Sequence, residues 1–199
     1  MKISIAAIFA TLSIFFFPNV ALAGLTPADV VKNIGIVTEV SKTIDITLKG
    51  LTTSTTPVQV VAISKTIVTQ FTTIVSSIST DITAMKATPP FTIEADCLLV
   101  VNALNQFVQV HQALLSTVIG KHSIFAQFLV TAPIAAVLRG LEAIIDAFAF
   151  SLINLIPCGI ASVNTGKNSL DASVMASINL YLQVCTPSVF YPITLPTCH

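Results

Sequence analysis

Charge is what this sequence has least of. Only 9% of its 199 residues are Asp, Glu, Lys or Arg, against 54% hydrophobic ones. Basic and acidic residues number nine each and no basic cluster forms, so the electrostatic footprint of a nucleic-acid-binding protein is missing. Tryptophan is absent altogether. Catalytic signatures are missing as well: there is no Gly-x-Ser-x-Gly elbow and no His-Glu-x-x-His pair. The four cysteines match no zinc spacing, so neither a metal nor a cofactor is expected. No Asn-x-Ser/Thr sequon occurs, and the final PITLPTCH is not the apolar tail of a lipid-anchor signal. Enzymatic function therefore has no support in the residues.

What is present is apolar. The mean hydropathy of +0.89 first suggests a membrane protein. Part of that value comes from residues 1–23, where a short basic start, an apolar run from Ile5 to Phe17 and Ala21-Leu22-Ala23 read as a secretory signal peptide. The most apolar later stretch, Pro133 to Ile156, contains Arg139, Glu142 and Asp146. Each would cost about 2.5–3.5 kcal/mol near a bilayer centre, so the mature chain is expected to have no transmembrane anchor. A secreted protein, extracellular or in the cell wall, is the expectation. An even number of cysteines (Cys97, Cys158, Cys185, Cys198) in an exported chain then implies two disulfides, with three possible pairings.

Periodicity organises the rest. Thr26-Pro27-Ala28-Asp29 is a helix start, followed by Val30, Ile34, Val37, Ile44, Leu48 and Leu51 at helical spacing. After the linker Thr52–Pro57, the stretch Val58 to Met85 is rich in threonine, valine and isoleucine, which favour strands. Its apolar residues from Ile67 to Met85 nevertheless recur every three or four positions, and that period predicts a helix. A third helix is predicted from Glu94–Asp96, with Leu104, Phe107, Val108, His111, Leu114, Leu115 and Val118 on one face. Gly120 stands where a left-handed cap would end it. A short apolar turn from Ile124 to Val130 connects to a helix opened by Pro133 and closed by Pro157. Residues 159–168 read as a polar loop, then a last helix carries Leu170, Val174, Ile178, Tyr181 and Val184. The prediction is an all-α antiparallel bundle of five longer helices plus one short connector, spanning 24–186, with an extended proline-rich tail at 187–199. Antiparallel return of the fourth long helix brings Cys158 to the start of the third, which favours Cys97–Cys158 and Cys185–Cys198 as the pairing.

The central stretch carries more apolar surface than a two-helix seam needs. Helices of about 24 residues are roughly 36 Å long, enough to enclose a sixteen-carbon acyl chain. Phe107, His111, Leu115, Phe128, Leu141 and Phe148 are the candidate lining of an apolar cavity, although a solid core uses the same residues. A ligand head group would need a donor at the mouth, and Gln109, Gln112, Ser116 and Gln127 are the polar candidates nearest the apolar face. Glu142 and Asp146, one turn apart beside Arg139, read as a solvated stripe.

The run LLSTVIGKHSIFAQF followed by APIAAVLRGLEAIIDAFAFSLINLIP resembles the fungal hydrophobic surface-binding protein A family, which includes cell-wall galactomannoproteins. The matching positions include Leu114, Leu115, Gly120, Lys121, Phe125, Pro133, Leu141, Glu142, Asp146 and Phe148. The resemblance implies a secreted helical bundle that binds fatty acids or similar acyl lipids, or a wall or coat protein that adsorbs to hydrophobic surfaces.

Overall fold

The computed structural model describes residues 24–199, so the signal peptide expected over residues 1–23 lies outside the described residues. Six α-helices follow in order: α1 (Pro27–Lys49), α2 (Pro57–Lys86), α3 (Glu94–Gly120), α4 (His122–Gln127), α5 (Thr131–Leu155) and α6 (Ile160–Tyr181). Two strands of two residues each, β1 (Cys185–Thr186) and β2 (Thr197–Cys198), pair antiparallel in the tail. Both disulfides form as expected, Cys97–Cys158 and Cys185–Cys198.

Local chemistry explains where the helices start. Thr26 and Asp29 make a reciprocal capping box ahead of Pro27, satisfying two N–H groups that a helix start leaves unpaired. Thr56 and Gln59 repeat the device at α2. α2 is helical despite its strand-prone composition because Val60, Ile67, Phe71, Ile74, Ile78, Ile82 and Met85 are buried along one face. Its exposed threonines, Thr69, Thr72 and Thr73 among them, donate their hydroxyls to the carbonyl four residues back, as does the partly buried Thr88 just past its end. By length and composition α2, rather than the Pro133–Ile156 stretch, is the one helix among the described residues able to cross a membrane. Here one of its faces is committed to the core.

Three boundaries differ from expectation. Gly120 is the last residue of α3 but takes no left-handed conformation, and the cap residue Lys121 is right-handed at φ −99°. The left-handed residue of this region is Leu129, at φ 56° in the turn from α4 to α5, where Val130 N–H reaches back to the Phe125 carbonyl. α5 begins at Thr131, two residues before Pro133, which still falls in the first turn where a missing N–H costs nothing. The polar loop expected at 159–168 does not exist. Pro157–Gly159 form a single 3-10 turn and α6 starts at once, since Val163, Gly166 and Leu170 extend the buried stripe of Val174, Ile178 and Tyr181. Gly166 is a packing residue, not a breaker: a Cβ there would lie 3.0 Å from Val108 Cγ2.

The long helices form a ring in the order α1, α3, α6, α5, α2 and back to α1. Chain neighbours run antiparallel, as the short loops require. The α1–α3 interface skips a helix and is parallel: Ser41 meets His111 and Asp45 accepts from Thr117. The α3–α6 pair also runs parallel, with Gln112 on Ser169 and Tyr181 Oη donating to the Val118 carbonyl. α3 and α5 face each other across the middle of this ring.

Candidate functional site

Across that middle the gap between α3 and α5 is bridged by side chains, chiefly Phe107 and Phe148. Two small voids flank them. One lies between α3, α5 and α6, walled by Leu104, Phe107, Phe148, Leu152 and Leu170, with Lys167 at its rim. The other lies toward α1 and α2, walled by Ile34, Val37, Phe107 and Phe148, with Asp81 at its rim. Ile78 borders both. Their volumes, about 20 and 10 Å³, are each about what one water needs. The two voids share Ile78, Phe107 and Phe148 as walls, and these side chains mark an apolar seam between α3 and α5.

Polar groups stand at both ends. Lys167 Nζ is 2.7 Å from Asp146 Oδ1 and 2.6 Å from Asp171 Oδ2. Hydrogen bonds to Asp146 and then Asp171 hold its ammonium well above the usual lysine range, so it stays charged. The Asp146 side chain is 70% exposed, that of Lys167 only 28%. At the opposite end Asp81 accepts a 2.8 Å hydrogen bond from Asn33 Nδ2. Half-burial raises its carboxyl above the ordinary value, with the Asn33 bond opposing the rise.

His111 sits fully buried beside the seam, its ring 5.2 Å from Phe107 and 6.3 Å from Phe71. Ser41 Oγ gives its proton to the Val37 carbonyl at 3.0 Å, so the 2.9 Å contact with His111 has the imidazole Nδ1–H donating to Ser41. That tautomer leaves Nε2 as a buried acceptor without a partner. Burial depresses the pKa to about 4, so the ring is neutral at neutral pH. His111 belongs to the core with one nitrogen unsatisfied.

The other sequence candidates separate clearly. Phe107 and Phe148 line the seam, while Leu115 and Leu141 are buried in the core without bordering either void. Phe128 instead packs edge-on against Tyr191 of the tail, with ring centroids 5.9 Å apart. Gln109 and Ser116 are exposed on α3. Gln112 is taken up by Ser169 and Ser173, and Gln127 brackets the backbone of Ser188, accepting from its N–H and donating to its carbonyl. None of the four polar candidates reaches the seam. Lys167 does, and it lay hidden in residues read as a loop. Once the helical stripe is carried back through Gly166, Lys167 falls three residues before Leu170 and beside the buried line. His122 Nε2 and the sulfurs of Cys185 and Cys198 lie within 4.8 Å of one another, but the sulfurs are bonded to each other and offer no thiolate ligand.

No family model and no curated protein matches the sequence. Solved structures do match the fold. AFMP4P in complex with palmitic acid superposes with a TM-score of 0.69 over 78% of this chain and 99% of that one, at 18% identity. Ligand binding domain 1 of the Penicillium marneffei MP1 protein, complexed with arachidonic acids, gives 0.65 at 10% identity, covering 77% of this chain and 95% of that one. Ligand binding domain 2 of the same protein, also with arachidonic acids, gives 0.66 at 9% identity over 83% and 95%. The likeness is one of fold.

Proposed function

We propose that this protein is a secreted, non-enzymatic binder of fatty acids, which lie in the seam between α3 and α5 with the carboxylate at Lys167. The observation that carries the proposal is the seam itself: two small apolar voids that share Phe107 and Phe148 as walls, one of them with the partly buried Lys167 in its lining. The fold it shares with proteins solved with palmitic and arachidonic acids supports the choice of ligand. Phe107 and Phe148 fill the space between the two voids, so an acyl chain enters by displacing these rings. Burial of each methylene contributes about 0.8 kcal/mol toward that opening. At the rim, the exposed Asp146 gives up a weak ion pair to solvent, and the ligand carboxylate takes its place on Lys167 while Asp171 keeps the ammonium oriented. The helix faces are turned inward on one another, which favours this reading over a coat protein that displays them. Location outside the cell or in the cell wall is part of the same proposal.

Native mass spectrometry of the delipidated protein with added palmitate tests it. A saturable one-to-one adduct is expected, with a melting temperature raised by roughly 5–10 °C at a hundredfold excess over Kd. A bare mass that ignores palmitate sinks the proposal. Lys167→Gln is expected to weaken palmitate binding by roughly tenfold, as one charge-assisted hydrogen bond at a part-exposed rim is lost, while leaving affinity for the matching alcohol unchanged. Equal losses for acid and alcohol would remove Lys167 from the head-group role.

A further inference from the structure

We infer that the disulfide-closed C-terminal loop is an insertion element for the interface of an uncharged lipid bilayer. This does not depend on what the seam binds. From Leu182 to Cys198 the chain carries no Asp, Glu, Lys or Arg. Its large apolar side chains point outward: Val189 is 90% exposed, Ile193 91% and Phe190 69%, with Val184 and Leu195 also exposed. Leu129, in the α4–α5 turn, is exposed as well, next in sequence to Phe128, which packs on Tyr191 of the loop. Scattered surface leucines need no explanation, but a run of outward apolar residues in one uncharged loop does.

The loop is held in shape. Cys185 and Cys198, 13 positions apart, close it covalently, and β1 pairs with β2 at its neck. Gln127 of α4 clamps the Ser188 backbone with both ends of its side-chain amide, Nε2 donating to the carbonyl and Oε1 accepting from the N–H. Presenting these side chains therefore costs little ordering on insertion. The occupant follows from size and charge. A stable protein interface uses roughly 20–30 residues a side and a polar rim with many hydrogen bonds. This loop is smaller and offers no charge to a partner. Burying a few apolar and aromatic side chains at the headgroup boundary needs neither. The absence of basic residues points to a zwitterionic rather than an anionic surface.

Co-sedimentation of the intact chain with sonicated vesicles of pure dioleoyl phosphatidylcholine, in low and high salt, tests the inference. Wild type is expected to partition onto the vesicles with no loss of binding in high salt. Phe190→Ser/Ile193→Ser should bind roughly tenfold to a hundredfold more weakly with an unchanged melting temperature, because both side chains already face solvent. Val189→Ser provides a second, milder variant in the same direction. Wild type that stays in the supernatant, variants that bind like wild type, or binding abolished by salt would overturn the inference. So would a concentration-dependent dimer abolished by the same variants, which would give the loop to a second copy of the chain.

Discussion

Replacing both Cys97 and Cys158 with serine is expected to cost the folded bundle about 4 kcal/mol. The bridge spans 61 positions, and the loop-entropy relation for a closure of that length gives a value of this size. The geometry makes the loss global. Cys97 is buried at the start of α3, and Cys158 lies in the 3-10 turn that joins α5 to α6, so the bond ties together three helices. Beside it the Phe91 N–H donates to the Leu155 carbonyl at 2.8 Å, and Gly159 packs so tightly that a Cβ would meet Val101 Cγ2 at 2.7 Å. Urea unfolding of the double variant beside wild type reads the effect. A cost below about 1 kcal/mol would show that these packing contacts hold the junction without the bond. Cutting Cys185–Cys198 is a contrasting control, because that bridge closes only the exposed tail loop.

Acid should weaken the fold by about 3 kcal/mol between pH 6.5 and pH 4 through His111 alone. In the unfolded chain its imidazole takes a proton near pH 6.5, while in the folded protein protonation waits until about pH 4. Above that window both states are neutral and the residue contributes no pH dependence. Within it only the unfolded state gains a proton, so stability falls with pH by about 1.4 kcal/mol per unit. The cause is burial: Nε2 has no partner, and a proton there would place a charge among Phe71, Phe107 and the other core side chains. His122 is shifted the same way by burial and adds a further loss of the same sign. Urea midpoints measured across the window should show the slope, and His111→Leu should leave a shallower dependence, in which the loss from His122 is opposed by Asp81, whose carboxyl is raised by burial and takes up its proton earlier in the folded state. A slope untouched by His111→Leu would mean that other groups govern acid sensitivity.

How much of this was legible in the residues depended on range. α1 announced itself through Thr26, Pro27, Asp29 and its apolar repeat, all local signals. α2 was legible only because the period of its buried face outweighs threonine and valine propensity, and the capping pair Thr56–Gln59 went unread. The disulfide pairing followed from antiparallel return of α5. The stretch 159–168 misled because glycine, asparagine and threonine resemble a loop until one knows that Gly166 is pressed against Val108. That single misreading concealed Lys167. The glutamine candidates lie away from the seam for a related reason. Gln112 and Gln127 were judged from their own helices, whereas α6 and the tail decide what lies above them, and Gln109 faces solvent. The seam's position likewise follows from the ring order, which no local pattern encodes.

That ring order also governs how the chain assembles as it is made. α1 rests chiefly on α3, through partners such as Ser41 with His111, 70 positions apart, and Asp45 with Thr117, 72 positions apart. A nascent chain that has finished α1 and α2 holds two helices whose main partners, α3 and α5, are still to be synthesised. Domains built on such distant contacts fold later and more slowly than those built hairpin by hairpin. The apolar faces of α1 and α2 therefore emerge first and wait longest, which makes the N-terminal half of the bundle the stretch most in need of shielding during synthesis.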